Sequence, residues 1–321
     1  MKNKIILIAG DPNSINSEII FKSFKKLSKS LKNRIYLIGS YDLISQQLRK
    51  LNFNLKLEEI DNIKEVNKGS SLKIININIK FKNPFKVERN EASKYVLKSL
   101  NLAHKIAVEE KVAGIINCPI NKNLLNKKRI GVTEYFAKKC QINDNSEVML
   151  IHNKKLSVAP LTTHIDIKNV SKNINAKNII KKTKTIEKWF KINLNKKPNI
   201  GVLGLNPHNS EMRNGSEEKR IINPVILKLR KAGIKISGPL VSDSIFINNY
   251  KKFDVIMGMY HDQVLSPFKA LFKFDAINIT LGLKYFRASP DHGTAYNIIK
   301  KKKANETSLL NCINYIHKFQ K

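Results

Sequence analysis

The sequence predicts an α/β protein with a mainly parallel sheet, in one large or two medium domains. Three observations predict it: short apolar runs alternate with amphipathic segments from the first residues onward, the runs are four to seven residues long and rich in Ile, Val and Leu, and no internal repeat or low-complexity linker interrupts the alternation. The chain has 321 residues, 42% of them hydrophobic, enough for one large or two medium domains with substantial cores.

In order, "KIILIAG" reads as a first strand. "SEIIFKSFKKLSK" reads as an amphipathic helix opened by Ser17, with Glu18 in its first turn. "RIYLIGS" is a second strand and "YDLISQQLRKL" a helix. Residues 71–81, "SLKIININIKF", alternate with period two, which predicts a half-exposed strand. A long helix from about Glu91 to Glu110 and a buried strand in "VAGIINCP" follow. "EVMLIHNKKLSVAPLTT" reads as a hairpin turning near Asn153–Lys154. Next come a helix from about Ala176 to Lys191, a strand in "NIGVLGLNP" and a helix in "SEEKRIINPVILKLRKAG" closed by Gly233. "FDVIMGMY", a short helix, "AINITLG" and two C-terminal helices complete the series.

Composition excludes several classes. No apolar stretch reaches the roughly 20 residues that span a bilayer. The N-terminal apolar run is shorter than a signal sequence requires, so a cytoplasmic protein is expected. Cys118, Cys140 and Cys312 are scattered and odd in number, which argues against a disulfide framework or a zinc–cysteine site. The formal charge of +34 admits two readings, a nucleic-acid binder or a drift toward Lys, Asn and Ile. Only eight of the 59 basic residues are Arg, the residue best suited to phosphate and guanine contacts, and the lysines spread along every predicted helix. The run "KKKK" at 300–303 reads as a solvated helix end. Drift is the expected reading, with no nucleic acid and no membrane bound, and the charge could still draw an anionic substrate toward the protein.

Three apolar runs end on histidine: "LSVAPLTTH" on His164, "NIGVLGLNPH" on His208 and "FDVIMGMYH" on His261. Ligands of open α/β sheets bind beyond the carboxyl ends of strands, so three imidazoles there could meet as a metal-catalytic set. Taken singly, each is as readily an ordinary core or surface histidine, as His104, His152 and His317 are read to be. Downstream, Lys269, Asn278 and Arg287 could bind a carboxylate or phosphate, Arg287 being the most informative because Arg is rare here. For the lysine, a solvated surface position is the competing reading. "SPDHGTAYNI" sets Asp291, His292, Gly293 and Thr294 before a predicted helix, a weak nucleotide or phosphate signal. No GxGxxG or GxxxxGK[ST] pattern is present, so neither the common dinucleotide fingerprint nor a P-loop is supported.

Taken together and in order, "IAGDP", "CPINK", "GVTEYFA", "LTTH", "GLNPHNSE", "GPLVSDSIF", "MYHDQVLSPFK" and "NITLGLKYFRASPDHGTA" resemble the 4-hydroxythreonine-4-phosphate dehydrogenase family of pyridoxal phosphate synthesis over nearly the whole chain. The resemblance implies an isocitrate/isopropylmalate dehydrogenase-like fold. It implies NAD-dependent oxidation of 4-phosphooxy-L-threonine and decarboxylation to 3-amino-2-oxopropyl phosphate. It also implies one divalent metal ion per site (Zn, Mg or Co) and a homodimer with its active site at the subunit interface. By motif, His164, His208 and His261 become metal ligands shared between subunits, and Thr133, Lys269, Asn278 and Arg287 substrate contacts. Asp243 and Asp262 become proton-handling or ligand-supporting groups, and Asp291, His292, Gly293 and Thr294 an adenosine-binding loop. The implied division is a discontinuous NAD-side domain, 1–130 with 288–321, and a metal, substrate and dimerisation domain, 131–287. The alternatives are a dehydrogenase of another four-carbon acid phosphate, such as threonate or erythronate 4-phosphate, and a basic nucleic-acid-binding protein on a retained enzyme scaffold.

Three departures from the family pattern stand out. Val132 replaces the histidine of "GHTE", removing a hydrogen-bonding side chain. The glycine-rich turn after "GDP" reads "NSINSE", and Cys118–Pro119 replaces Gly–Pro. Left-handed backbone at those former glycine positions would be strained by about 1 kcal/mol or more each.

Overall fold

A computed structural model describes residues 3–64, 70–125, 131–247, 249–273 and 275–318. Its strands are β1 (Ile5–Ile8), β2 (Ile35–Gly39), β3 (Leu57–Ile60), β4 (Leu72–Asn76), β5 (Gly114–Asn117), β6 (Val148–His152), β7 (Ser157–Thr162), β8 (Ile200–Leu203), β9 (Ile236–Leu240), β10 (Val255–Tyr260), β11 (Ile277–Leu281) and β12 (Arg287–Pro290). The chain forms two compact units, Met1–Lys139 with Lys284–Lys321, and Cys140–Leu283. The boundary expected at 130 falls within 126–130, outside the described residues.

In the first unit the strand order is β3-β4-β2-β1-β5-β12, every pair parallel. β1, β2 and β5 are buried along their whole length. A parallel sheet requires helices on its faces, which is why these strands read as unbroken apolar runs. The helix Arg89–Glu109 packs on β1, β2 and β5, and Thr307–Lys318 on β12 and β5. Asn16–Lys26 packs against Tyr41–Lys50 and Thr307–Lys318.

In the second unit the order is β11-β6-β7-β10-β8-β9. Here β11–β6 and β6–β7 are antiparallel, while β7–β10, β10–β8 and β8–β9 are parallel. The expected hairpin is β6–β7, closed by the Asn153 carboxamide, which accepts from the amides of Lys155 (2.8 Å) and Leu156 (2.9 Å). The helix His261–Phe272 covers β7 and β10, building a core from Ile151, Val158, Leu203, Ile256, Val264 and Phe268.

Several local expectations are corrected. Ser17 does not cap the first helix: that helix starts at Asn16 after Ile15, and Ser17 is buried inside it. The strand expected over 71–81 ends at Asn76, pairs with β2 and β3, and is buried except at that last residue. Lys73 is buried, with Nζ donating to the Asn33 carbonyl (2.9 Å) and lying 4.5 Å from the Tyr36 ring centre. The helix before Gly233 starts as a π turn, Glu218–Ile222, and becomes α-helical at Asn223. Pro224 lacks the N–H that a regular helix would use there. The expected pair of C-terminal helices is one three-residue 3-10 turn, Tyr296–Ile298, and the helix Thr307–Lys318. Residues 300–303 are therefore not a helix end, and Lys300 and Lys302 have positive φ. The strain expected at the lost glycines does not arise, since residues 13–18 and Cys118 all have negative φ.

Candidate active site

β7, β10 and β8 are adjacent and parallel, so their carboxyl ends share one edge of the sheet. Tyr260 pairs with Thr162 across β10–β7. His261 follows Tyr260 directly and His164 lies two residues beyond Thr162. Their imidazole ring centres are 6.0 Å apart. The Asp262 carboxylate is 2.6 Å from His261 Nδ1. It accepts the Nδ1 proton and leaves Nε2 as the lone-pair nitrogen, the tautomer a metal-binding imidazole needs. Asp262 is therefore in direct contact with His261, although its own side chain is 76% exposed.

His208 is placed differently. It opens a left-handed turn in which His208, Asn209, Ser210, Glu211 and Met212 have φ between 43° and 58°. Non-glycine residues there cost about 1 kcal/mol or more each, and such strain concentrates at functional sites. Among the described residues no three His, Cys, Asp or Glu side chains form a metal-holding group. The single chain thus brings His164 and His261 together and does not complete the three-histidine set with His208. A pair of imidazoles with one tautomer fixed by a carboxylate fits a divalent cation as a partial ligand set.

In the same unit, Lys269 is exposed on the helix His261–Phe272, and Asn278 is half-buried on β11. Asn278 Oδ1 is buried and has no hydrogen-bond partner. Asp243 is exposed at the head of the four-residue helix Ser242–Ile245.

In the first unit, Arg287 on β12 is 2% exposed. Its Nε donates to Asn117 Oδ1 at 2.8 Å, Nη2 donates to the same oxygen, and Nη1 lies 3.4 Å from Thr133 Oγ1. Burial pushes the Arg287 guanidinium down to about 10, so it remains protonated at neutral pH. Thr133 is buried in the helix Val132–Lys139, which Val132 opens. The loop after β12 holds Asp291, whose amide donates to Ser308 Oγ (3.0 Å), and Thr294, whose carbonyl accepts from Ile15 (3.3 Å). His292 Nδ1 is 2.9 Å from the Gly293 carbonyl. The expected helix N-terminus behind this loop is only the turn Tyr296–Ile298, too short for a helix dipole to matter.

Sequence reasoning missed two buried polar residues of the first unit. Asn117 ends β5 and holds Arg287. Asp11 is 3% exposed and accepts from the amides of Asn13 (2.8 Å) and Asn121 (3.3 Å). Burial pushes the Asp11 carboxyl up to about 6, against the downward pull of those two amides. Each stands at a strand end of a parallel sheet, the one signal that could have singled it out. His152, by contrast, is structural: its Nδ1 is 2.8 Å from Ser157 Oγ across the hairpin.

The family model described as pyridoxal phosphate biosynthetic protein PdxA matches residues 31–316. The chain belongs to this family. A curated relative from Sulfurihydrogenibium sp., named 4-hydroxythreonine-4-phosphate dehydrogenase, is 39% identical over 319 residues, covering 97% of this chain and 96% of its own. The crystal structure of a 4-hydroxythreonine-4-phosphate dehydrogenase from Klebsiella pneumoniae superposes with a TM-score of 0.84 at 28% identity, covering both chains fully. Isocitrate dehydrogenase from Methylococcus capsulatus shares the fold alone, at a TM-score of 0.50 and 13% identity, over 99% of this chain and 85% of that one. This PdxA-family chain is a dehydrogenase with an isocitrate dehydrogenase-like α/β fold. Among the described residues no helix is long and apolar enough to cross a membrane.

Proposed function

We propose that this PdxA-family chain oxidises 4-phosphooxy-L-threonine at C3 with NAD and a divalent metal ion, in the cytoplasm, as a homodimer whose subunits share the site. The observation that carries the reading is the approach of His164 and His261 at adjacent strand ends, with Asp262 fixing the His261 tautomer. His164, His208 and His261 are the residues that would hold the metal, with His208 supplied by the partner subunit's copy or by rearrangement of its turn. When bound, the metal supplies a Lewis acid at the C3 oxygen, and NAD the acceptor for the C3 hydride.

The chain's own side chains bind and orient. Lys269 and Arg287 supply positive charge for the phosphate and carboxylate. Thr133 and Asn278 supply hydrogen bonds, and the unsatisfied Asn278 oxygen suits a substrate hydroxyl or ammonium group. Asp243, acting through water, accepts the C3 hydroxyl proton. The product of oxidation is a β-keto acid, which loses CO2 to give 3-amino-2-oxopropyl phosphate. The loop Asp291–Thr294 receives the adenosine half of NAD. The first unit is thereby the NAD side, and the second carries the metal and the subunit interface.

NADH production with 4-phosphooxy-L-threonine tests the reading. Turnover should stop with a chelator, return with Zn, Mg or Co, and fall by about 100-fold or more in His261→Ala with the fold retained. Val132 removes a side chain able to touch the substrate, so threonate and erythronate 4-phosphates belong in the same assay. Turnover of those alone would replace the proposed substrate, and turnover unaffected by chelator would remove the metal.

A further inference from the structure

A continuous set of hydrogen bonds joins the three histidine-bearing strand ends of the second unit. Thr162 Oγ1 donates to the Met259 carbonyl (2.7 Å), tying β7 to β10. Gln263 reaches back over the end of β10: its Oε1 accepts from the Met259 amide (2.7 Å), and its Nε2 donates to the Gly204 carbonyl (2.7 Å). The backbone pairing of β10 with β8 stops at Met257–Val202, so the Gln263 carboxamide extends the connection past the last ladder pair. Beyond Gly204, the buried Glu218 carboxylate accepts from the amides of Leu205 (2.7 Å) and Asn206 (2.8 Å). Asn209 Nδ2 then donates to the Pro239 carbonyl (3.0 Å).

The backbone is bare where these side chains cross it. A Cβ on Gly258 would stand 3.0 Å from Gln263 Oε1 and 2.5 Å from Val264 Cγ1. A Cβ on Gly204 would stand 3.0 Å from Glu218 Oε1 and 2.1 Å from Asn209 Oδ1. The left-handed turn 208–212 begins four residues after Gly204. Such a turn persists only where its surroundings over-determine it, and these bonds are the surroundings on its β8 side.

We propose that Gln263 is a positioning residue: its carboxamide is a strap that fixes the His208 loop against the His261 strand through the Met259 amide, while Thr162 fixes the His164 strand to the carbonyl of the same residue. The spacing of the three imidazoles is thereby set through the backbone of one residue, its N–H on one side and its carbonyl on the other. This rests on reading the three histidines as the metal set. The carboxamide is specific to the task, since one end must accept from Met259 and the other donate to Gly204. Glutamate keeps only the acceptor, and methionine keeps the approximate volume and neither bond.

The test compares wild type, Gln263→Met, Gln263→Glu and Thr162→Val. Hydrogen exchange is measured on the metal-free protein by peptide mass spectrometry, and Co(II) is titrated with its visible absorption as the signal. In Gln263→Met, exchange across 203–212 should quicken, with 157–162 unchanged, and Co(II) affinity should fall about 10- to 100-fold. Thr162→Val should leave 203–212 as in wild type and weaken Co(II) less. A folded Gln263→Met protein with wild-type exchange at 203–212 and wild-type Co(II) affinity overturns the strap. Faster exchange spread evenly over the whole unit also overturns it, because Gln263 would then be ordinary fold support. If Gln263→Met does not fold, the same two outcomes are read from Gln263→Glu. If wild type itself binds no Co(II), the metal reading of the histidines fails, and exchange across 203–212 alone decides the strap.

Discussion

Arg287 and Asn117 show what burial does to a charged residue. The guanidinium is buried, and one carboxamide oxygen accepts two of its N–H groups. Asn117→Ala should cost about 1.5–3 kcal/mol, the usual worth of hydrogen bonds to a charged group, measurable by urea unfolding. Asp11 carries a pH signature. Its carboxyl titrates near 6 in the fold, raised from 3.8 chiefly by burial. A raised folded pKa means the contribution to stability is fully present below about pH 4 and lost as pH rises through 6. Asp11→Asn removes the titration, so the variant should gain roughly 3 kcal/mol relative to wild type between pH 4 and 7. Urea unfolding across that range checks it, and a pH-independent difference between the two proteins would refute it. The sequence could nominate His164 and His261 because each follows an apolar run. Asp11 and Asn117 also lie at the ends of apolar runs, but nothing local marks a polar residue there as buried, so that position alone did not set them apart.

At the scale of elements, the strands of central position were the most legible, because burial on both faces demands unbroken apolar runs. β4 was misjudged for the same reason. Its alternating pattern suggests an exposed face, yet Leu72–Ile75 are all buried, and Lys73 is accommodated by a carbonyl and the Tyr36 ring. The loop after β12 allows fold and ligand to be separated. A Cβ on Gly293 would meet nothing within 4 Å, and Gly293 has no positive φ. Gly293→Ala should therefore change stability by less than about 0.5 kcal/mol. A raised KM for NAD in that variant would mean that the bound nucleotide, and not the fold, requires the glycine. An unchanged KM would remove the loop from the NAD site.

For the whole molecule, the formal charge of +34 is the dominant long-range feature. Phosphate substrates are drawn toward such a surface, and salt screens the attraction over about 8–10 Å at physiological strength. KM for the phosphorylated substrate should rise between 50 and 300 mM salt while kcat changes little; steady-state kinetics in both buffers would expose the opposite. The sequence by itself determined the α/β class, the alternation of elements and the family, because hydrophobic periodicity and ordered motifs are local properties of the chain. Only the tertiary structure decided which motifs meet. It joined His164 to His261 across adjacent parallel strands, set His208 on a left-handed turn, and buried Arg287 against Asn117. Those outcomes depend on strand order, register and the side chains that cross between strands. Contacts of that kind link residues 40 to 170 positions apart, where no local pattern reaches.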